Sequence, residues 1–260
     1  MAEPNPKELF DLGVKSIEAK DYIQAKKYFE KACDLKYGGG CGALGDLYDD
    51  VEKNLIKAAQ LYTKACGLKD GRGCFNLGRL YYFGEGVEKN LTKASQYFSK
   101  ACGLNNSGGC GALGMQYEYG QGVKKNLIKA TQFYSKACDL KDGRGCGALG
   151  MQYEYGQGVE KDLIKAAYFY SKACDLKDGR GCGALGMQYE YGQGVEKDLI
   201  KAAYFYSKAC ELKESFGCGA LGGLYYSGDG VEKNLTKADQ YFSKACKLGD
   251  QETCEALKEK

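Results

Sequence analysis

The sequence predicts an all-α solenoid of stacked helical hairpins, with one disulfide per repeat. Three observations carry this prediction. The 14 cysteines fall into seven pairs, each separated by eight positions: Cys33/Cys41, Cys66/Cys74, Cys102/Cys110, Cys138/Cys146, Cys174/Cys182, Cys210/Cys218 and Cys246/Cys254. The pairs recur with one step of 33 residues followed by five of 36. Within each period the apolar residues keep a helical spacing and are interrupted twice by glycine-rich breaks.

The chain opens with Asn5, Pro6 and Glu8, an N-cap, a first-position proline and a capping-box partner for the first helix. Asp21 and Gln24 repeat the box for a second helix, so 5–37 reads as an N-terminal hairpin. Six further hairpins of about 36 residues fill 38–249. The unit from Cys146 to Gly181 is copied in the next with changes only at Glu211, Glu214, Ser215 and Phe216, which points to recent duplication or to engineering.

In that unit Leu149 and Tyr153 stand four apart beside Cys146 and Gly150, on one face of a short helix A. Gly156-Gln157-Gly158 supplies positive-φ positions for a tight connection, and Asp162 caps a helix B. Along helix B, Leu163, Ala166, Ala167, Tyr170, Ala173 and Cys174 form one amphipathic stripe. The glycines of the stretch Lys177 to Gly181 are expected to give helix B a left-handed stop. The 33-residue step falls in the second hairpin, where Tyr48-Asp49-Asp50-Val51 lacks the G-x-G insert, so a tighter turn is expected there. Residues 250–260 close the stack as a short capping helix, which makes 1–260 a single solenoid domain.

Each cysteine pair lies across the junction from a helix B to the next helix A and is expected to clamp the two. A closed loop of nine residues contributes about 2.6 kcal/mol on the chain-entropy account, which offsets weak packing in a core of Ala, Gly and Tyr. Such a framework persists in oxidising compartments, so a periplasmic or secreted protein is expected. The opening MAEPNPKELF lacks the charged and apolar regions of a secretory signal. The expectation is therefore an export signal removed before Ala2, with Met1 as an expression start. With 37 basic and 34 acidic side chains the formal charge is +3, too balanced for binding nucleic acid by counterion release. No run of 18 apolar residues exists to insert into a membrane.

The stretch GALGMQYEYGQGVEKDLIKAAYFYSKACDL resembles the Sel1-like repeat, a relative of the tetratricopeptide repeat with an L-G-x-x-Y-x-x-G-x-G-V core followed by K-A and an aromatic pair. The likeness covers nearly the whole chain. With cysteines eight apart and the opening AEPNPKEL, the sequence more narrowly resembles the Helicobacter cysteine-rich proteins, exported Sel1-like repeat proteins. That resemblance implies a right-handed superhelix, export, and host contact or immune recognition. It also implies a β-lactam or peptidoglycan-related ligand, because family members are named as penicillin-binding proteins or β-lactamases. The chain departs from the family in lacking histidine and tryptophan and in the close identity of its central units.

Serine β-lactamase chemistry needs Ser-x-x-Lys and a K-T-G-like strand, and neither occurs here. The repeated YSKAC places Ser and Lys side by side, so on a helix they point apart. With no histidine, and with the thiols read as disulfides, no zinc site and no cofactor are expected. Tight turning explains the GQGV loops better than phosphate binding does, since they recur in every full unit. The sequons at Asn90, Asn105 and Asn234 occur readily by chance. Tyr48, Tyr81, Tyr117, Tyr153, Tyr189 and Tyr225 keep register with the core leucines and read as structural.

The variation lies elsewhere on helix A, at positions one, five and eight after its cysteine. These are Gly42, Asp46 and Asp49; Phe75, Arg79 and Tyr82; Gly111, Met115 and Glu118; then Met151 and Glu154, Met187 and Glu190, and last Gly223 and Tyr226. Tyr119, Tyr155 and Tyr191 stand at the edge of that row. In helical-hairpin solenoids helix A lines the concave face, and Arg, Tyr and Met favour interfaces, so this row is the candidate groove. The sequence therefore reads as a secreted, monomeric scaffold that binds a protein or peptide through its concave face. Two alternatives stand beside it: a weak β-lactam binder or hydrolase using the same groove, and a designed consensus-like scaffold with no natural ligand.

Overall fold

Helix caps and glycine turns divide the chain as the periodicity requires. The computed structural model describes residues 5–258, and every regular element among them is helical. Helices of the A and B kinds alternate: α1 (Pro6–Glu18) with α2 (Tyr22–Asp34), α3 (Gly38–Asp46) with α4 (Leu55–Gly67), and α5 (Gly71–Phe83) with α6 (Leu91–Gly103). They continue as α7 (Ser107–Tyr119) with α8 (Leu127–Asp139), α9 (Gly143–Tyr155) with α10 (Leu163–Asp175), α11 (Gly179–Tyr191) with α12 (Leu199–Glu211), and α13 (Ser215–Ser227) with α14 (Leu235–Lys247). The short α15 (Gln251–Lys258) packs on α14. No described helix is long and apolar enough to cross a membrane.

The chain forms two compact units that divide between Phe133 and Tyr134, inside α8. Within the first, α3 touches both α1 and α5, and α5 touches α7; within the second, α11 touches both α9 and α13. In each unit the A helices are thus neighbours, whereas successive B helices make no comparable contact.

All seven predicted disulfides are present, with Cα–Cα distances of 4.5 Å in six and 4.7 Å at Cys246–Cys254. Each joins a helix B to the following helix as expected, and most of the sulfurs also lie deep in the core. Cys41, Cys74, Cys110, Cys146, Cys182 and Cys218 are completely buried, and Cys33, Cys102, Cys138, Cys174 and Cys210 are buried as well. At four of the bridges the following helix B closes over the sulfurs with an alanine. Ala65 packs against Cys33–Cys41, Ala173 against Cys138–Cys146, Ala209 against Cys174–Cys182 and Ala245 against Cys210–Cys218. These sulfurs are therefore part of the core and take no part in a surface site. Only Cys66, Cys246 and Cys254 are half-buried.

So short a span brings two helix ends almost into backbone contact, and the residue before the second cysteine must be small. A Cβ on Gly181 would stand 2.4 Å from the Ala173 Cβ, closer than any real carbon contact. The glycines of this junction therefore serve close approach, which corrects the expected left-handed stop. Lysine makes that stop: Lys36, Lys69, Lys141, Lys177 and Lys213 hold φ between 61° and 64°. The Lys177 N–H donates to the Cys174 carbonyl at 2.9 Å. A left-handed non-glycine residue costs about 1–2 kcal/mol, and the adjacent disulfide offsets it.

Between helices A and B the G-x-G insert behaves as predicted, with Gly156 at φ 68° and Gly158 at φ 75°. Its second glycine also seats the turn on the preceding repeat, since a Cβ on Gly194 would fall 2.0 Å from the Leu163 carbonyl oxygen. In the second hairpin the expected tighter turn is replaced by a wider one. With three residues fewer, the chain leaves α3 through a π-helical turn, Leu47–Val51, in which the Glu52 N–H reaches the Leu47 carbonyl at 3.0 Å.

Asn5 and Glu8 complete their capping box. Asp21 accepts from the Gln24 N–H at 2.9 Å without the reciprocal bond, so only half of the second box forms. The B helices after it open on Asn54, Asn90, Asn126, Asp162, Asp198 and Asn234, each accepting the N–H of the lysine three residues on at 2.9–3.0 Å. Ala166, Ala167, Tyr170, Ala173 and Cys174 are buried as the stripe requires, with the Tyr170 ring lying over Gly150. The structural tyrosines are half-buried, and all but Tyr48, which lies under Lys26 at 4.4 Å, stack on helix B: Tyr153 lies 5.5 Å from Phe169 at 6°, with Lys165 Nζ 5.3 Å from the Tyr153 centroid. The same sandwich recurs at Tyr81, Tyr117, Tyr189 and Tyr225.

Replacing Gly181 by alanine is expected to destabilise the oxidised protein by about 1–3 kcal/mol in urea unfolding, because neither backbone can retreat. Lys177→Gly should stabilise it by about 0.5–1 kcal/mol, the left-handed strain removed less the entropy returned to the unfolded chain.

The caps give a pH dependence. The N–H groups of Lys165 and Lys201 hold the Asp162 and Asp198 carboxyls below the ordinary carboxylate value of 3.8. The fold thus favours their charged forms, a stabilisation present above that value and lost as pH falls through the lowered one. In a double variant, Asp162→Asn with Asp198→Asn, the acceptors remain and the proton uptake is gone. Its urea midpoint should match the parent at pH 7 and fall less between pH 6 and pH 3.

Candidate ligand groove

The predicted groove residues separate into two kinds. In the first unit, the Asp46 carboxylate receives the Tyr62 hydroxyl and the Asn76 Nδ2, each at 2.9 Å, and pairs with Arg72 Nη2 at 2.8 Å. Burial pushes its carboxyl above the ordinary value, although Arg72 and the Tyr62 hydroxyl pull the other way. Asp49 is a longer acceptor for the same Tyr62 hydroxyl, at 3.4 Å. Both acids therefore tie the second hairpin together, and Asn76 and Arg72 extend the tie to α5.

Phe75 packs on Phe98 with centroids 5.8 Å apart, Arg79 is half-buried, and Tyr82 donates its hydroxyl to Gln121 Oε1 at 2.8 Å. Met115 and Glu118 are half-buried, and Tyr119 is exposed. Of the glycines in the row, Gly42 is buried and Gly111 and Gly223 are half-buried.

In the second unit Met151, Tyr155, Tyr191 and Tyr226 are exposed, Met187 and Glu190 are half-buried, and Glu154 is only 8% exposed. The structure brings four of the predicted residues to one place. Glu154, Tyr155, Met187 and Tyr191 line an open cavity of about 420 Å³, together with Lys161, Leu163 and Gln193. Tyr155 and Tyr191 each end a helix just before a left-handed glycine, Gly156 or Gly192 at φ 68°. The seat of Gly194 against Leu163 sets the second of these turns over the first turn of α10. Sequence reasoning missed Lys161, Leu163 and Gln193, which belong to the connection or to helix B. The signal that could have found them is the G-x-G turn, whose spacing fixes where one repeat meets the next.

Glu154 differs from an ordinary surface acid. The Tyr170 hydroxyl donates to Oε2 in a short hydrogen bond, and Gln188 Nε2 donates to Oε1 at 3.1 Å. Burial and the adjacent carboxylate hold the Tyr170 phenol well above its ordinary range, so it remains a donor. Glu190 receives the Tyr206 hydroxyl at 2.5 Å, but Leu224 stands where a glutamine partner would be. In α5 the corresponding position is Tyr82. Gln116, the counterpart of Gln188 in α7, accepts from Ser95 Oγ at 2.5 Å and leaves its buried Nε2 without a partner. The buried glutamines Gln116, Gln152 and Gln188 were not legible in the sequence, because they fall between core positions on a face where solvent is the ordinary expectation.

Comparison with known proteins gives this geometry a setting. A family model described as Sel1 repeat matches residues 9–37, 40–70, 71–106, 109–142, 144–178, 180–214 and 215–250. HcpC of Helicobacter pylori strain J99, which carries a β-lactamase name, is 62% identical over 58 residues. That match spans 21% of this chain and 20% of HcpC. Among solved structures, a Sel1 repeat protein from Oxalobacter formigenes is 29% identical with a TM-score of 0.82, covering 91% of this chain and 96% of that one. The protein c5321, described as a protective antigen of uropathogenic Escherichia coli, is 26% identical at the same TM-score, covering 96% of this chain and 55% of its own.

Replacing Tyr170 by phenylalanine leaves a buried Glu154 oxygen without its donor and should cost about 1–3 kcal/mol in urea unfolding. Tyr155→Phe, at an exposed ring, should change the midpoint by less than about 0.5 kcal/mol.

Proposed function

Because the chain belongs to the Sel1 repeat family, a fold of protein interaction, we propose that it acts as an extracytoplasmic scaffold that captures a protein or peptide through its A-helix face. The observation that carries this reading is the cavity at the α9–α11 junction, where two exposed tyrosines and a methionine meet. Aromatic rings supply contact area at low entropic cost, and the thioether adapts to the shape it meets. Met151 and Tyr226 extend the exposed row within the same unit, and Tyr119 stands on the same face of α7. A disulfide in every repeat suits an oxidising compartment, which agrees with secretion or periplasmic residence and with contact at a host surface. The scaffold acts as a monomer in this reading.

The test is selection of displayed peptides on the oxidised full chain, followed by affinity measurement against a variant carrying Tyr155→Ser, Met187→Ala and Tyr191→Ser. Binding should weaken at least about tenfold while the far-ultraviolet circular dichroism is unchanged. Equal affinity for the variant would refute the reading. A control variant on the exposed face of α10, Ile164→Ser with Tyr168→Ser, should bind as the parent does.

The name carried by HcpC favours a second reading, a β-lactam ligand in the same groove. The residues lining the cavity include no serine, so hydrolysis there would lack its usual nucleophile. Turnover of a chromogenic β-lactam by the oxidised protein, abolished in the triple variant, would establish that reading; no turnover above the variant's level would remove its hydrolytic form.

A further inference from the structure

Glu154 sits at the wall of the cavity with 8% of its surface exposed. Its two hydrogen-bond donors, Tyr170 and Gln188, are both neutral, and among the described residues no lysine or arginine forms an ion pair with it. A buried carboxylate without a cation carries a large desolvation cost. It offers about four acceptor positions, of which the two donors occupy two. Beside it, Gln188 commits its Nε2 to Glu154 and leaves Oε1 buried with no donor. The site is thus rich in unfilled acceptors and poor in donors.

The rest of the wall suits the same sign of charge. Tyr155 and Tyr191 present exposed rings, whose faces attract cations, and the Met187 thioether is polarisable. Lys161 opposes this, but its side chain is exposed and its charge is screened by water, whereas that of Glu154 is not. An anion would approach the buried carboxylate, and a purely apolar group would seal it from water with no compensation.

We propose that this cavity takes a cationic side chain of the partner, arginine by preference, with its charge against Glu154 and its stem between Tyr155, Tyr191 and Met187. The proposal rests on the reading of the A-helix face as the partner surface and names the chemistry recognised there. Arginine fits better than lysine because its flat, weakly hydrated head stacks on tyrosine and brings five donors to a place that lacks them.

Two other pairs of hairpins lack parts of this lining. One hairpin further on, Met187, Gln188, Tyr191 and Gln193 give way to Gly223, Leu224, Ser227 and Asp229. In the first unit the corresponding row keeps Met115, Tyr119 and Gln121, but the carboxylate is replaced by Tyr82. The first change removes the walls, and the second removes the charge.

The four methionines of the chain make a direct test possible. The oxidised full chain, labelled with ¹³C at the methionine methyls, is titrated separately with N-acetyl-arginine amide, its lysine and norleucine analogues, and N-acetyl-glutamate. Met187→Leu identifies the Met187 signal. Arginine amide is expected to move that signal saturably and to bind at least about tenfold tighter than the norleucine analogue. Glu154→Gln keeps an acceptor for Tyr170 and can donate to Gln188 once that amide flips, and it should weaken arginine binding about tenfold; Lys161→Ala should strengthen it about two- to fivefold. Unshifted Met115 and Met151 methyls confirm that Glu154→Gln is folded. Should it unfold, Tyr191→Leu serves in its place, with an expected loss of about fivefold.

Equal shifts from the norleucine analogue, with no effect of Glu154→Gln, would overturn the proposal and leave a peptide groove of apolar character. Preferential binding of the glutamate probe would overturn it in favour of an anion held by Lys161. If no probe moves the Met187 signal, the groove reading fails together with it.

Discussion

The distance between helices at the B-to-A junction governs the rest of the structure. A disulfide that holds two Cα atoms 4.5 Å apart leaves no room for a side chain between them, so alanine faces glycine at the first six junctions. At the last, where the span is 4.7 Å, Thr253 stands in the glycine's place. With the helix ends so close, the turn between them has to be short, and one residue must take the left-handed conformation. That geometry sets the angle at which the next helix A departs. The G-x-G turn acts at the opposite end of the hairpin by resting on the first turn of the previous helix B. Two contacts per repeat, one covalent and one of backbone against glycine, therefore define how each hairpin meets the last. The aromatic and alanine core fills the space that they leave.

Most of the fold was readable because it is periodic. Cysteine spacing identified every disulfide, the alanine stripe marked the buried face of helix B, and Asn or Asp at fixed register marked the caps. Spacing did not report depth: that Cys41, Cys146, Cys182 and Cys218 vanish into the core depends on an alanine from a helix about 24–27 residues further on. Features that broke the period were read less well. The three-residue deletion after Tyr48 suggested a tighter turn, yet a helix that runs short of chain can also widen its last turn, as Leu47–Val51 does. The left-handed stop was assigned to glycine on propensity, but glycine was already required two to four residues later for close approach, and lysine took the strain instead.

The positions of the candidate groove were legible as a row on helix A, and their burial was less so residue by residue. Glu154 and Asp46 sit at positions that a helical wheel turns away from the core, and neither stands open to solvent, because a tyrosine hydroxyl from helix B rises to meet each of them. Sequence reports which face a residue occupies, not whether a long side chain from the neighbouring element will cover it. The near-identity of the central repeats is misleading for the same reason. A single pocket draws on two consecutive repeats, so a few substitutions in the next hairpin, such as Tyr191 giving way to Ser227, dismantle it while the frame stays unchanged.

The lysines at the left-handed turns have a further consequence wherever proteases act. Lys36, Lys69, Lys141, Lys177 and Lys213 each lie between the two cysteines of a pair, in short polar loops of the kind that trypsin-like proteases enter. A cut at any one of them opens a ring rather than severing the chain. The two fragments stay joined through sulfur at the same spacing, and the hairpins on either side keep their packing. The repeat thus places these bonds where cleavage does not separate the pieces, a form of durability that depends on chain connectivity and owes nothing to thermodynamic stability.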